Sequence, residues 1–392
     1  MKKLKILNIS FDDLHSPGGG LGVFTRDHGN AMGKIADVTT VTMDPKMEKW
    51  HFGPFGNQRL LTCVNTNYQM KVEGPFHLLQ QTNMMMQNIM EFIGREEFDV
   101  IHNHDTSCWN IAQMCQALYK APIISTCHLS FGLVHHEGHV LSEDQFRWEL
   151  TQEANCYHAS EALTTMSEAY AQKLSDKFLL DRDFDLIPNG VDLEPLSKVE
   201  PDLDFKKRIA GDKPLVGFVG RMVPSKGILD ILAAAEVFPD HHFLIKSYVA
   251  PSVEKVYKLI EEVRERVNSL ENVTWISDMP SHDPKKWEIM KACDLALIPS
   301  KHEPFGIVAL EWGALQVPKI VSKVDGLVDH NSENDADMIE PNAEELIAAI
   351  KAHKRDERKV KNAYSVAEAH RWDSVANKMM EVYERCLSTH GK

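Results

Sequence analysis

Short apolar runs separated by polar loops and amphipathic stretches set the rhythm of this chain. Leu4 to Ile9, Val38 to Val41, Phe98 to His104 and Pro122 to Thr126 are such runs in the first half. Leu215 to Val219, Phe243 to Ile245, Val273 to Pro280 (a strand and its loop) and Leu295 to Pro299 follow in the second. Runs this short and this continuously apolar predict buried strands of a parallel sheet. Helices are predicted from Val23 to Met32, from near Pro304, over the mixed-charge run Lys351 to Lys361, and from Trp372 to Leu387, with Asp373 near the last N-cap. Strands alternating with helices in both halves predict two doubly wound α/β domains facing each other across a cleft, with ligands at the carboxyl ends of the strands. The charged, Pro-containing stretch from Glu194 to Asp212 is taken as the link between them, and Lys46 to Tyr68 is an excursion with no element assigned.

Composition narrows the class. The 392 residues suffice for two full cores, and a formal net charge of −14 argues against a protein that mainly grips nucleic acid or anionic lipid. No apolar run approaches the ~20 residues that span a bilayer. The basic start gives way to Asp12-Asp13, so no signal peptide is expected there. Seven cysteines without CxxC or framework spacing predict reduced core thiols and a cytoplasmic protein.

The densest chemistry lies between Cys293 and Leu327. Pro304 suits a first helical turn, and Phe305, Gly306 and Ile307 leave backbone N–H groups free to receive an anion. Glu303 stands at that helix mouth and Glu311 eight residues on, so two carboxylates flank an anion site. A nucleotide sugar accounts for both, with its diphosphate on the helix and its hydroxyls donating to the acids. A second segment, Gly220-Arg221-Met222-Val223-Pro224-Ser225-Lys226-Gly227, places two cations after a strand. There they would stabilise charge developing on a leaving phosphate. The glycines at 18 to 20 and 22 form a strand, glycine loop, helix unit.

Together, Pro299-Ser300-x-x-Glu303-Pro304-Phe305-Gly306-Ile307-Val308-Ala309-Leu310-Glu311 and the Arg221–Lys226 segment resemble the E-x7-E signature and diphosphate loop of retaining GT-B glycosyltransferases, the glycogen and sucrose synthase superfamily. The resemblance covers nearly the whole chain. It implies domains at 1–195 (acceptor side) and 196–371 (donor side), with 372–392 a helix crossing back to the first. Glu161 to Ser167 and then Ile187 to Asp192 follow its strand-then-turn pattern. It implies that Glu303 lies by the donor sugar, Glu311 binds the ribose, and Arg221 and Lys226 hold the diphosphate. Gly19 and Gly20 would face the donor, the backbone around Met279 would meet the base, and His128 would serve the sugar by hydrogen bond or charge. The partners implied are a nucleoside diphosphate sugar (UDP, ADP or GDP) and a saccharide or glycoconjugate acceptor; no cofactor and no metal is required.

Four departures from the family pattern stand out. His15, Ser16 and Pro17 replace a cation before the glycines. Lys246-Ser247-Tyr248 replaces a Gly-x-Gly turn, Leu315-Gln316 a small-residue turn, and Asp325-Gly326-Leu327 a Gly-Gly-Leu that would otherwise bring no charge near the diphosphate. Metal readings fare poorly. His102-x-His104 ends a strand as relatives do without metal, and His135 to His139 has its Glu misplaced for a zinc helix. The Asp pairs at 181 and 183 and at 202 and 204 lie in predicted loops away from the nucleotide segments. A sugar-nucleotide epimerase of the same fold, a non-catalytic sugar binder, and a transferase acting on modified DNA are the alternatives.

Overall fold

The computed structural model describes residues 3–12, 14–15, 19–44, 51–64, 75–134, 143–248, 254–277, 279–280 and 283–390. The excursion at 135–139 and the turn at 16–18 lie outside the described residues. The chain divides into two compact units, residues 1–189 with 372–392, and residues 190–371.

The first unit is built on eight strands: β1 (Lys5–Ile9), β2 (Asp37–Asp44), β3 (His51–Phe55), β4 (Gln58–Val64), β5 (Val100–His104), β6 (Ile123–Cys127), β7 (Ala162–Thr165) and β8 (Asp185–Leu186). Their order is β3-β4-β2-β1-β5-β6-β7-β8, parallel except where β3 runs antiparallel to β4. That hairpin supplies elements within the excursion at 46–68, to which the sequence assigned none. Gly56, at φ 60°, makes its turn, and β4 aligns with β2 from Thr39↔Arg59 to Asp44↔Val64. The helix Gly20–Met32 packs against the terminal helix Trp372–Thr389, burying Phe24, Trp372, Met379 and Tyr383 with Ile6, Val38, Val100 and Ile124. Lys34 bonds Asp373 at 2.7 Å, so that carboxylate serves an ion pair in the first turn. All seven cysteines are buried and free.

The second unit carries β9 (Leu215–Arg221), β10 (His242–Tyr248), β11 (Val273–Ile276), β12 (Leu295–Ile298), β13 (Lys319–Ser322) and β14 (Asp337–Ile339) in the all-parallel order β11-β10-β9-β12-β13-β14. The apolar run of β12 is buried at every position, as its sequence predicts.

Four local expectations change. β10 does not stop at Ile245 but pairs with β9 through Ser247↔Gly220 and Tyr248↔Arg221. The stretch from Glu194 to Asp212 is helical at Leu193–Ser197 and Leu203–Ala210, because Asp192 and Asp202 cap those helices; Asp202 accepts from the Phe205 N–H at 2.8 Å. The Asp202-Leu203-Asp204 triplet therefore opens a helix instead of lying in a loop. The run Lys351 to Lys361 spans two helices, Ala343–Ala352 and Glu357–Ala369, the second opened by Asp356 as cap. Finally, the helix expected near Pro304 begins at Ile307, since Gly306 at φ 88° lies in the left-handed region and breaks helical continuity. Among the described residues no helix is long and apolar enough to cross a membrane.

Candidate functional site

Strand order in the second sheet reverses between β9 and β12, and such a switch point leaves a crevice outside the carboxyl ends of the strands. The two loops that leave β9 and β12 are locked together there. The Lys301 N–H donates to the Ser225 carbonyl at 2.7 Å. Gly227 (φ 69°) lies so close to the Pro299 carbonyl that a Cβ would fall far inside van der Waals contact. This brings Lys226 and Glu303 into an ion pair, with side chains 13% and 12% exposed. Arg221 ends β9, half-buried, and its side chain makes no hydrogen bond or ion pair with another described residue.

Glu303 is held from behind by its backbone. Its N–H donates to Asp325 Oδ2 at 3.0 Å, its carbonyl accepts from Gly326 N–H at 3.1 Å, and Asp325 also pairs with His302. Asp325 takes φ 38°, a region glycine usually fills, and a Cβ on Gly326 would collide with the Pro304 carbonyl. The departure to Asp325-Gly326-Leu327 thus reads differently in three dimensions. The added carboxylate is consumed in orienting Glu303 and is 5% exposed, so it does not project as a loose charge. Phe305, buried and stacked on His330 with centroids 4.3 Å apart, anchors the same loop. The helix Ile307–Ala314 then starts with no side-chain cap, which leaves its first N–H groups for an anion. Glu311, on that helix, accepts from Lys286 Nζ at 2.9 Å and Trp287 Nε1 at 3.1 Å.

Residues 18–195 match the model for Glycosyltransferase Family 4, and residues 199–371 match that for glycosyl transferases group 1. The chain is a GT-B glycosyltransferase of this family. The family is a retaining one that uses nucleotide sugars. The glycosyltransferase is 24% identical over 394 residues to the uncharacterized glycosyltransferase MJ1607 of Methanocaldococcus jannaschii, spanning 95% of this chain and 96% of that one. Its fold is that of sucrose-phosphate synthase from Thermosynechococcus elongatus, at a TM-score of 0.80, 20% identity, and 98% and 100% of the two chains. It is also that of Anabaena HepE in complex with UDP and glucose, at 0.75, 15%, and 97% and 100%.

Beyond Glu311, Met279, Lys246 and Lys286 line a narrow, largely apolar crevice with no room inside for a water molecule. Sequence reasoning missed Lys286. Its one signal was the pair Lys286-Trp287, a cation beside an indole, at the head of a short helix. Lys246 was visible only as a departure.

In the first unit, Gly19 caps the helix Gly20–Met32 in extended conformation (φ −162°), and a Cβ there would meet nothing within 4 Å. Among the described residues nothing therefore demands glycine at that position. His128 lies in a buried histidine cluster. Its Nε2 is 3.2 Å from His104 Nδ1, its backbone N–H donates to Asp105 Oδ1 at 2.6 Å, and Phe24 sits at 4.7 Å centroid distance. Burial, helped by His28, pushes the His128 pKa down to about 3, so its ring is neutral at pH 7 and is suited to hydrogen bonding and not to carrying charge. Asp105 is pushed up to about 7 by burial, against two backbone N–H bonds that favour its charged form. His102 of the His102-x-His104 pair is tied to Thr126 and Tyr383, both at 2.6 Å. Among the described residues no group of three or more His, Cys, Asp or Glu is arranged to hold a metal.

Proposed function

We propose that this glycosyltransferase moves a hexosyl group from a nucleoside diphosphate sugar held by the second unit to a hydroxyl of a saccharide or glycoconjugate, without a metal ion. The observation that carries the reading is the partly buried Lys226–Glu303 ion pair beside the uncapped start of the helix Ile307–Ala314, at the switch point of the sheet. A diphosphate arriving there takes Lys226 and the helix N–H groups, and Arg221 is uncommitted and available to it. Glu303, freed from Lys226, becomes an acceptor for sugar hydroxyls. As the sugar–phosphate bond breaks, negative charge grows on the leaving oxygen, and the fixed cations and N–H groups stabilise it without reorganising. For His128 the neutral ring supports a hydrogen bond to a sugar hydroxyl. The UDP and glucose of the HepE complex support a donor of this class.

Two outcomes check the assignment of roles. Glu311→Ala should raise the donor KM with little change in kcat, whereas Glu303→Gln should lower kcat more than it alters KM. Steady-state kinetics with equal effects in both variants would assign the roles wrongly. Since the cations supply the neutralising charge, activity should also persist in excess EDTA; complete loss that Mn²⁺ or Mg²⁺ restores would contradict the metal-free mechanism.

A further inference from the structure

Directly after β6, five consecutive backbone N–H groups turn to side chains. His128 and Leu129 donate to Asp105 Oδ1 at 2.6 and 3.2 Å, Ser130 to the Tyr170 hydroxyl at 2.8 Å, and Phe131 and Gly132 to the two oxygens of Glu153 at 2.6 and 3.0 Å. The Ser130 hydroxyl adds a third bond to Glu153 at 3.0 Å. Buried backbone N–H groups require acceptors, so these side chains set the path of the loop that starts at His128. Asp105 is itself held at φ 59°, ψ 166°, a region occupied almost only by glycine, and such an outlier persists where the surrounding contacts over-determine it. A Cβ on Gly132 would come within 3.0 Å of Glu153 Oε2, so glycine there admits the carboxylate.

Glu153 lies on the helix Glu143–Ala159 and is 0% exposed. Among the described residues no cation bonds to it, and Lys177 acts only through its field. A buried carboxylate is costly unless its oxygens are satisfied. Here Ser130, Phe131 and Gly132 satisfy both of them. A glutamine has one acceptor oxygen and would turn its own N–H groups on the remaining donors. We propose that Glu153, with Tyr170, is a positioning residue for sugar transfer: it fixes the loop that carries His128, and so the ring that meets the donor sugar. The inference rests on the proposed role of His128. His104 holds that ring at Nε2, 3.2 Å away, whereas Asp105, Tyr170 and Glu153 hold the backbone that bears it. A misplacement of about 1 Å in a group that meets the substrate can cost as much as ~10²-fold in rate.

The test uses the full chain at pH 8, above the value of about 7 to which burial raises the Glu153 pKa. It follows release of nucleoside diphosphate from a UDP, GDP or ADP hexose in the presence of saccharide acceptors. Glu153→Gln should lower kcat roughly ten-fold or more. Affinity for the product nucleotide, which the second unit holds on this reading, should stay within about two-fold. In a His128→Ala background the same substitution should change kcat by less than about two-fold, because nothing remains for the loop to position. Tyr170→Phe, which removes only the Ser130 acceptor, should behave alike with a loss of about five-fold, the size of one hydrogen bond. It carries the test if Glu153→Gln does not fold. An undiminished kcat, or an equal loss with and without His128, overturns the inference and makes these groups supports of the fold alone. A His128→Ala chain as fast as the parent, or a parent that turns over none of these donors, would overturn instead the site reading on which the inference stands.

Discussion

Lys226→Ala is expected to lower kcat roughly 10²-fold to 10³-fold while nucleoside diphosphate affinity weakens much less, as when a single preorganised contact to a developing anion is removed. The argument starts from the fold. Gly227 and the Lys301–Ser225 hydrogen bond fix the Lys226 loop against the Glu303 loop, so the ammonium is held in place before any ligand arrives. It is only 13% exposed, in surroundings where a charge interacts far more strongly than in water. The ground-state diphosphate has its charge spread over several oxygens and keeps the helix N–H groups and Arg221 when Lys226 is gone. The transition state concentrates charge on the leaving oxygen and loses more. Arg221→Lys should also be impaired, because an ammonium does not reproduce the planar fork of a guanidinium on two phosphate oxygens. Single-turnover transfer and product-nucleotide affinity for each variant beside the parent decide the matter. A kcat within about three-fold of the parent, under ~1 kcal/mol, would make these cations ordinary surface charge.

His28→Leu is expected to stabilise the first unit and to make it less sensitive to acid. His28 is fully buried and stacked on Phe24 at 4.8 Å, and neither ring nitrogen has a hydrogen-bond partner among the described residues. Replacing it with an apolar side chain removes two desolvated polar atoms, each worth about 1–3 kcal/mol when unsatisfied. Burial also lowers its pKa to about 3 from 6.5. Below pH 6.5 the unfolded chain therefore binds a proton that the folded chain refuses. The stability this histidine permits is complete above 6.5 and is lost as pH falls toward 3, at about 1.36 kcal/mol per pH unit.

His102, His104 and His128 act in the same sense. Asp105, Glu149 and Glu153, raised by burial to about 7, act in the opposite one, since their folded forms take up protons first. The parent's own pH profile mixes these contributions, whereas the difference between parent and variant reports His28 together with its smaller influence on His102, His104 and His128, which burial keeps low in both chains. Denaturant unfolding at pH 7.5 and 4.5 should show the variant more stable at both. The gap should be wider at pH 4.5 by roughly 2.7 kcal/mol, two pH units below 6.5. Equal gaps would mean that His28 is not held neutral in the fold.

What the sequence disclosed follows a physical division. The candidate site of the second unit is local: strand, loop and helix between Leu295 and Ala314 are continuous in sequence, and so are Arg221, Lys226 and Gly227, so residue type, spacing and the family resemblance sufficed to single them out as candidates. Features that depend on partners far along the chain were hidden. Strands β3 and β4 are short and of mixed polarity, and they exist because β4 pairs with β2. The start of the Ile307–Ala314 helix was misplaced because Pro304 is a good N1 residue, while the left-handed turn at Gly306 is set by packing against Leu327 and Glu303. The role of Asp325 depends on Glu303, 22 residues away. The histidine cluster draws on three segments, and periodicity does not reveal that His28, His102, His104 and His128 share one interior.

The most direct test of the account is proton NMR of the anomeric region while the full chain turns over a UDP, GDP or ADP hexose in the presence of saccharide acceptors and EDTA. The account predicts that free nucleoside diphosphate appears together with a glycoside whose anomeric configuration is that of the donor, and that Lys226→Ala slows both in step. An inverted product, or tight donor binding with no release of nucleoside diphosphate against any acceptor, would contradict it.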